Sequence, residues 1–145
     1  MTLIIGVGNA FRRDDGAGSA VAEALRGRPG FEVLLLHGEG SELIEAWRGR
    51  DHVIVIDAMR SGAAVGSLRS FDALAEPLPS GAFPCLSHQF GLAEAVEMAR
   101  LLDRLPAALT LWGIEGQDFG QGPGFSPEVA VAVAALIDRL GEVSD

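Results

Sequence analysis

The stretch 2–18, TLIIGVGNAFRRDDGAG, decides the fold of this chain. It begins with an apolar, β-branched run over residues 2–8, which is typical of a buried strand in a parallel sheet. The glycine-rich segment that follows leads into small and apolar residues at helical spacing, which predict a first helix over about residues 15–26. A strand, a tight turn and a helix in this order indicate an α/β architecture.

The remaining chain continues this alternation. Apolar runs predict further strands at 31–36, 53–56 and 108–114, and an alternating pattern predicts an edge strand at 66–72. Three more helices are expected: a short one capped by Ser41, a long one over residues 92–102, and a last one that begins at Pro127 after Ser126 and stops at Gly141. The sequence therefore predicts one domain over residues 1–145. Its fold is a three-layer α/β sandwich, with a mostly parallel twisted sheet of about five strands and helices on both faces.

Composition excludes several classes of protein. Hydrophobic residues make up 48% of the 145 residues, which is enough for a packed core and excludes intrinsic disorder. Acidic residues outnumber basic ones by 20 to 11, and the arginines are scattered, so we expect no nucleic-acid partner. The single cysteine, Cys85, excludes an internal disulfide and a multi-cysteine metal site. We also expect a cytoplasmic protein without a membrane partner, because no secretory signal or spanning stretch is visible.

The glycine-rich segment after the first strand invites a dinucleotide-binding interpretation. The required pattern has a third glycine, and here Asn9, Ala10 and Phe11 follow Gly8 instead. Two adjacent carboxylates, Asp14 and Asp15, would also repel a pyrophosphate at the start of the helix. We expect one of these acids to cap that helix, which leaves the other available for a cation.

Three residues form a candidate metal-ligand set. The carboxyl ends of parallel strands meet at one edge of a sheet, where Asp15 follows the first strand and Asp57 ends the third. An acid on a buried strand is costly unless it is paired or bound to a metal. His88 precedes the long helix, where we expect a neutral imidazole. Two carboxylates and one imidazole suit a divalent transition metal with open coordination positions, whereas Cys85 is expected to be a small apolar filler.

Four motifs stand out along the chain, at 6–18, 53–58, 86–92 and 112–129, with the sequences GVGNAFRRDDGAG, VIVIDA, LSHQFGL and WGIEGQDFGQGPGFSPEV. Together they resemble the hydrogenase maturation proteases, the endopeptidases that trim the C-terminal tail of the nickel–iron hydrogenase large subunit. The resemblance covers essentially the whole chain in order. It implies that Asp15, Asp57 and His88 are the metal-binding and catalytic residues.

The resemblance also implies the chemistry. The nickel already loaded into the hydrogenase large-subunit precursor would be recognised through these ligands, and the C-terminal extension would then be cleaved just after the last metal-binding cysteine motif of the precursor. A resident metal that polarises the scissile carbonyl and activates water is the open alternative. Cadmium or zinc could occupy the same ligands, and a monomer is expected.

Two other functions stay open at this point. A non-catalytic chaperone that only inspects the nickel centre would use the same residues, and a Rossmann-like nucleotide-binding enzyme would use the glycine-rich turn. The chain also departs from the family pattern after the second strand, where it reads His37-Gly38-Glu39-Gly40-Ser41. This departure makes His37 and Glu39 candidates for altering metal preference or substrate fit.

Overall fold

A computed structural model describes residues 1–79, 81–83 and 90–143. The strands are β1 (Thr2–Val7), β2 (Phe31–Leu36), β3 (His52–Met59), β4 (Leu68–Asp72) and β5 (Ala108–Glu115). The helices are α1 (Ala17–Ala24), α2 (Gly40–Trp47), α3 (Leu92–Leu101) and α4 (Pro127–Val143), and a 3-10 turn, Arg13–Gly16, precedes α1. No helix in these described ranges is long and apolar enough to cross a membrane.

The five strands form one sheet in the order β2-β1-β3-β5-β4. The first four strands in this order are parallel, and β4 pairs with β5 in the antiparallel sense at one edge. The predicted mostly parallel sheet with an edge strand at 66–72 is therefore confirmed. Because β1, β3 and β5 lie side by side, the segments that follow these three strands meet at the carboxyl edge of the sheet.

Two apolar cores flank the sheet, one on each face. On one face α2 and α3 pack against β1 and β3 through a cluster that includes Leu3, Val55, Leu43, Trp47 and Val96. On the other face α1 and α4 pack against the strand residues that point the opposite way. This cluster includes Ile4 and Ile56 from the strands, Val21 from α1 and Leu136 from α4. The strands alternate their side chains between these cores, as a sheet covered on both faces requires. The predicted three-layer sandwich is confirmed.

Helix α1 lies unusually close to the sheet because the glycines of the first motif remove side chains from the contact. A Cβ placed on Gly6 would lie 2.7 Å from the Ala22 Cβ. A Cβ placed on Gly18 would collide with the backbone carbonyl oxygens of Ile56 and Val7. The glycine frame thus holds the start of α1, and the turn before it, directly against β1 and β3.

Three predicted boundaries are wrong. Asp57 does not end its strand, because β3 continues through Ala58 and Met59. Gly141 does not stop the last helix, which runs to Val143. Ser41 does not cap α2; the carboxylate of Glu39 accepts hydrogen bonds from the backbone N–H groups of Ser41 and Glu42 instead.

Candidate functional site

The candidate site lies at the carboxyl edge of β1, β3 and β5. The 3-10 turn after β1 contacts β3. The backbone N–H of Gly116, just after β5, donates to the Met59 carbonyl at the end of β3 over 2.9 Å. The segments that follow β1, β3 and β5 therefore lie together, and they bring the elements that carry Asp15 and Asp57 into contact.

Asp15 is a buried carboxylate, with 6% of its surface exposed, in the turn that leads into α1. Its Oδ2 atom accepts a hydrogen bond from the Asn9 backbone N–H over 2.9 Å. Burial raises the pKa of Asp15, although the Asn9 N–H and the positive charges of Arg12 and His37 partly oppose the shift. A cation would relieve this desolvation cost, so Asp15 fits the role of a metal ligand.

Gly8 makes room for the backbone of Asp15. Its φ of +135° lies in a region that side chains rarely adopt, and a Cβ there would collide with the Asp15 carbonyl oxygen. The second glycine of the motif therefore lets the turn that carries Asp15 lie directly against the end of β1.

Asp57 lies inside β3 with 1% of its surface exposed. It pairs in register with Gly113 of β5. Val55 and Met59, which share its face of the strand, both belong to the core under α2 and α3. Asp57 therefore points toward the layer that contains α3, at the end of the sheet nearest the carboxyl edge.

His88 and Cys85 lie outside the described residues, so their predicted roles stay predictions. The chain on both sides of them is held near the same edge. Ala82 accepts a hydrogen bond from the Arg60 backbone N–H over 2.7 Å, just after β3. Phe90 accepts one from the Gly40 N–H over 2.8 Å, at the start of α2. Within residues 1–79, 81–83 and 90–143, no three His, Cys, Asp or Glu side chains are grouped to hold a metal ion.

Asp14 has a structural role that the sequence did not reveal. The expectation that one of the two acids caps α1 is wrong, because the N-cap is Gly16 and no side chain bonds there. The fully buried Asp14 carboxylate instead accepts hydrogen bonds of 2.8–2.9 Å from the backbone N–H groups of Gln117, Asp118 and Ser126 and from the Ser126 hydroxyl. Asp14 therefore fastens the turn after β1 to the loop after β5.

The hydrogen bonds of Asp14 have a consequence for acid stability. Burial alone would raise its pKa, but the three N–H donors and the hydroxyl outweigh burial and lower the pKa below the ordinary value of 3.8. A lowered folded pKa stabilises the fold above the unfolded pKa, and this stabilisation is lost as pH falls through the folded value.

We expect Asp14→Asn to lower the free energy of unfolding by about 3 kcal/mol at neutral pH, because an amide leaves buried N–H donors unsatisfied. The difference from the wild type should shrink as pH falls below 3.8. Denaturant titrations at neutral and acidic pH measure both quantities. Asp72→Asn is the matched control, since the carboxylate of the exposed Asp72 accepts a local hydrogen bond of 3.0 Å from the Leu74 N–H. A constant difference between wild type and Asp14→Asn at all pH values would contradict this account.

Several side-chain contacts hold the glycine-rich loop between β5 and α4, residues 116–126. Arg12 donates to the Phe119 carbonyl, and Arg13 donates to the Gln121 carbonyl and forms a 2.6 Å ion pair with Asp118. At the base of the loop, the buried carboxylate of Glu115 accepts hydrogen bonds from the Ser61 N–H and hydroxyl. Glu115 was missed by the sequence analysis, although an acid at the end of an apolar run is the same signal that singled out Asp57.

The two residues that depart from the family pattern after β2, His37 and Glu39, have different surroundings. Glu39 caps α2, and the Ser41 and Glu42 N–H groups lower its pKa, so it acts on the helix start. His37 is exposed and lies near enough to Asp15 for its charge to lower the pKa of that acid. Of the two residues, His37 lies near Asp15, and an effect on metal preference or substrate fit stays a prediction.

An open, mostly parallel sheet with buried acids at its carboxyl edge defines the class of α/β proteins that bind their ligands at strand ends. A family model described as "Hydrogenase maturation protease" matches residues 20–142. The chain therefore belongs to the hydrogenase maturation protease family, whose members are endopeptidases.

Individual relatives support this family membership. The chain is 30% identical over 144 residues to the Hydrogenase 2 maturation protease of Escherichia coli, covering 95% of this chain and 87% of that protein. It is 31% identical to the hydrogenase expression/formation protein HupD of Bradyrhizobium diazoefficiens, covering 97% of this chain and 76% of the relative.

Solved structures share the fold. The solution structure of an endopeptidase from Escherichia coli superposes with a TM-score of 0.81 at 27% identity, covering 96% of this chain and 88% of that one. The hydrogenase maturating endopeptidase HybD from Escherichia coli gives a TM-score of 0.76 at 27% identity over the same shares.

Proposed function

We propose that this chain removes the C-terminal extension of a nickel-loaded large-subunit precursor of a nickel–iron hydrogenase. The observation that carries the proposal is the burial of Asp15 and Asp57 at one sheet edge, in a chain that belongs to this protease family. In the proposal residues 1–145 act as one domain, as a monomer in the cytoplasm. The names of the relatives support the hydrogenase as the partner.

The proposed ligands of the substrate's nickel are Asp15, Asp57 and His88. Both acids have the hard oxygen donors and the buried setting that favour a divalent cation, and an imidazole would complete a mixed oxygen and nitrogen set. The flanks of segment 84–89 are fastened beside β3 and α2, which supports a contribution from His88 at this edge. Binding at the three ligands would orient the precursor so that the bond to be cut lies next to the acids.

The chain's own residues have distinct tasks in this proposal. As a nickel ligand Asp15 would act in its charged form, and a bound cation would offset the burial that raises the pKa of Asp15. Gly8 and Gly18 allow the turn that carries Asp15 to lie close to the strand ends. The hydrogen bonds of Asp14 to the loop after β5 hold this turn in place. A resident metal at the same ligands would polarise the carbonyl and activate water, and this remains the alternative mechanism.

Intact-mass measurement of the precursor tests the function. Incubation of nickel-loaded precursor with the purified chain should shorten the precursor by its C-terminal peptide. A stable complex with a precursor of unchanged mass would favour the non-catalytic chaperone. The Rossmann-like alternative loses its support, since Gly8 accommodates Asp15; thermal stabilisation by a nucleotide but not by nickel or cadmium would revive it.

A further inference from the structure

One arginine stands at the candidate site with an exposed, oriented guanidinium group. Arg60 directly follows β3, three residues beyond Asp57. Its backbone is fixed by the 2.7 Å hydrogen bond to the Ala82 carbonyl, and its side chain is exposed to solvent. Arg60 therefore lies at the mouth of the edge that carries the proposed catalytic acids.

An aromatic platform orients this guanidinium. The Cζ atom of Arg60 lies 4.6 Å from the centre of the Phe119 ring, within the range of a cation–π contact. The ring is 6% exposed, and Gly116 lets it pack directly against the backbone, since a Cβ there would come within 2.7 Å of the ring. The contact uses the face of the guanidinium, and within the described part of the chain no side-chain hydrogen bond engages its N–H donors.

The charge environment distinguishes Arg60 from five of the ten other arginines. Arg13, Arg26, Arg48, Arg50 and Arg100 each form an ion pair with a carboxylate. In the described part of the chain, no carboxylate forms such a pair with Arg60. Arg12 adds a second positive charge at the same platform, where it donates to the Phe119 carbonyl over 3.1 Å. Arg12 and Arg60 thus place two positive charges beside Phe119, at the edge that also carries the buried acids, in a protein with a net charge of −9.

This arrangement suits one kind of ligand. Asp15 and Asp57 would repel a negatively charged group of the substrate, and a fixed guanidinium at the mouth would offset that repulsion. A planar guanidinium with free edges matches a carboxylate in two-point geometry. We propose that Arg60 is a substrate-binding residue that holds a carboxylate group of the precursor near the bond to be cut. The inference rests on the proposed function and names how that site selects its substrate.

The test compares Arg60→Gln with Arg69→Gln. Arg69 lies on the edge strand β4 and stacks over Phe71 at 4.9 Å, so it controls for the loss of an exposed stacked arginine. Loss of a charge-assisted hydrogen bond predicts that Arg60→Gln weakens binding of the nickel-loaded precursor about 10- to 100-fold. KM should rise by a similar factor with little change in kcat. Arg60→Lys should recover part of the affinity, and Arg69→Gln should behave as the wild type.

The affinity is measured by calorimetry, which needs no cleavage. If the wild type fails to cut the precursor, the proposed function fails, and the affinity comparison still tests Arg60. Affinities of Arg60→Gln and Arg69→Gln that agree within about twofold would overturn the inference. So would a fall in kcat with unchanged affinity. A charge swap strengthens the test: Arg60→Glu should regain affinity for a precursor in which one acidic residue near the cleavage point is replaced by lysine.

Discussion

Replacing Asp57 by asparagine is expected to lower the rate of precursor cleavage about a thousandfold, since a ligand that orients the metal centre contributes several kcal/mol to the transition state. The amide has nearly the same shape but no charge, so the fold should be largely retained. Asp57 lies inside β3 with 1% exposure, and its removal should therefore affect the site rather than the surface.

The measurement is the single-turnover rate of precursor shortening, followed by intact mass, together with the melting temperature of each variant. Asp138→Asn on the exposed side of α4 is the control, because it removes one negative charge far from the carboxyl edge. Full activity of Asp57→Asn would remove Asp57 from the site. Loss of activity together with unfolding would be attributed to the fold. A Cd²⁺ or Ni²⁺ titration of the folded fraction would then show whether Asp57 contributes to metal binding.

Gly18→Ala is expected to lower the stability of the fold about as much as Asp14→Asn does. Helix propensity alone predicts a gain of about 1 kcal/mol, since alanine is the better helix former. The new Cβ would collide with the backbone carbonyls of Ile56 and Val7, and backbone atoms of a central sheet cannot move aside cheaply. We expect the steric effect to prevail, with a net loss of about 3 kcal/mol and a fall in melting temperature of about 10 °C.

The same substitution should reduce cleavage, because a displaced α1 carries Asp15 away from the strand ends. Thermal unfolding and the cleavage rate measure the two effects. Ser19→Ala, at the next position of α1, adds no atoms and should leave both nearly unchanged. A stabilised Gly18→Ala variant would show that the close approach of α1 to the sheet is not required.

The alternation of apolar strands and amphipathic helices was enough to predict the sheet, both faces and the edge strand. The position of Asp57 was predicted only approximately, since four apolar residues mark a strand but do not show where its hydrogen bonding ends. Ser41 was the expected cap by residue type, yet a glutamate two residues earlier reaches the same N–H groups. Local propensities cannot choose between such neighbours.

The loop contacts were beyond prediction for a different reason. Asp14 binds backbone groups more than 100 positions away, at Gln117, Asp118 and Ser126. Backbone donors carry no signature in the sequence, so an acid that binds them looks the same as an acid reserved for a cation. The stacking of Arg60 on Phe119 likewise joins residues from two separate loops. Such pairs become visible only once the strand order brings their loops together.

The most direct test of the proposed function compares nickel-loaded and nickel-free forms of one large-subunit precursor. Both forms are incubated with the purified chain, and their intact masses are followed over time. Recognition of nickel through Asp15, Asp57 and His88 predicts that only the loaded precursor loses its C-terminal peptide. Equal shortening of the two forms would contradict recognition of the substrate's nickel.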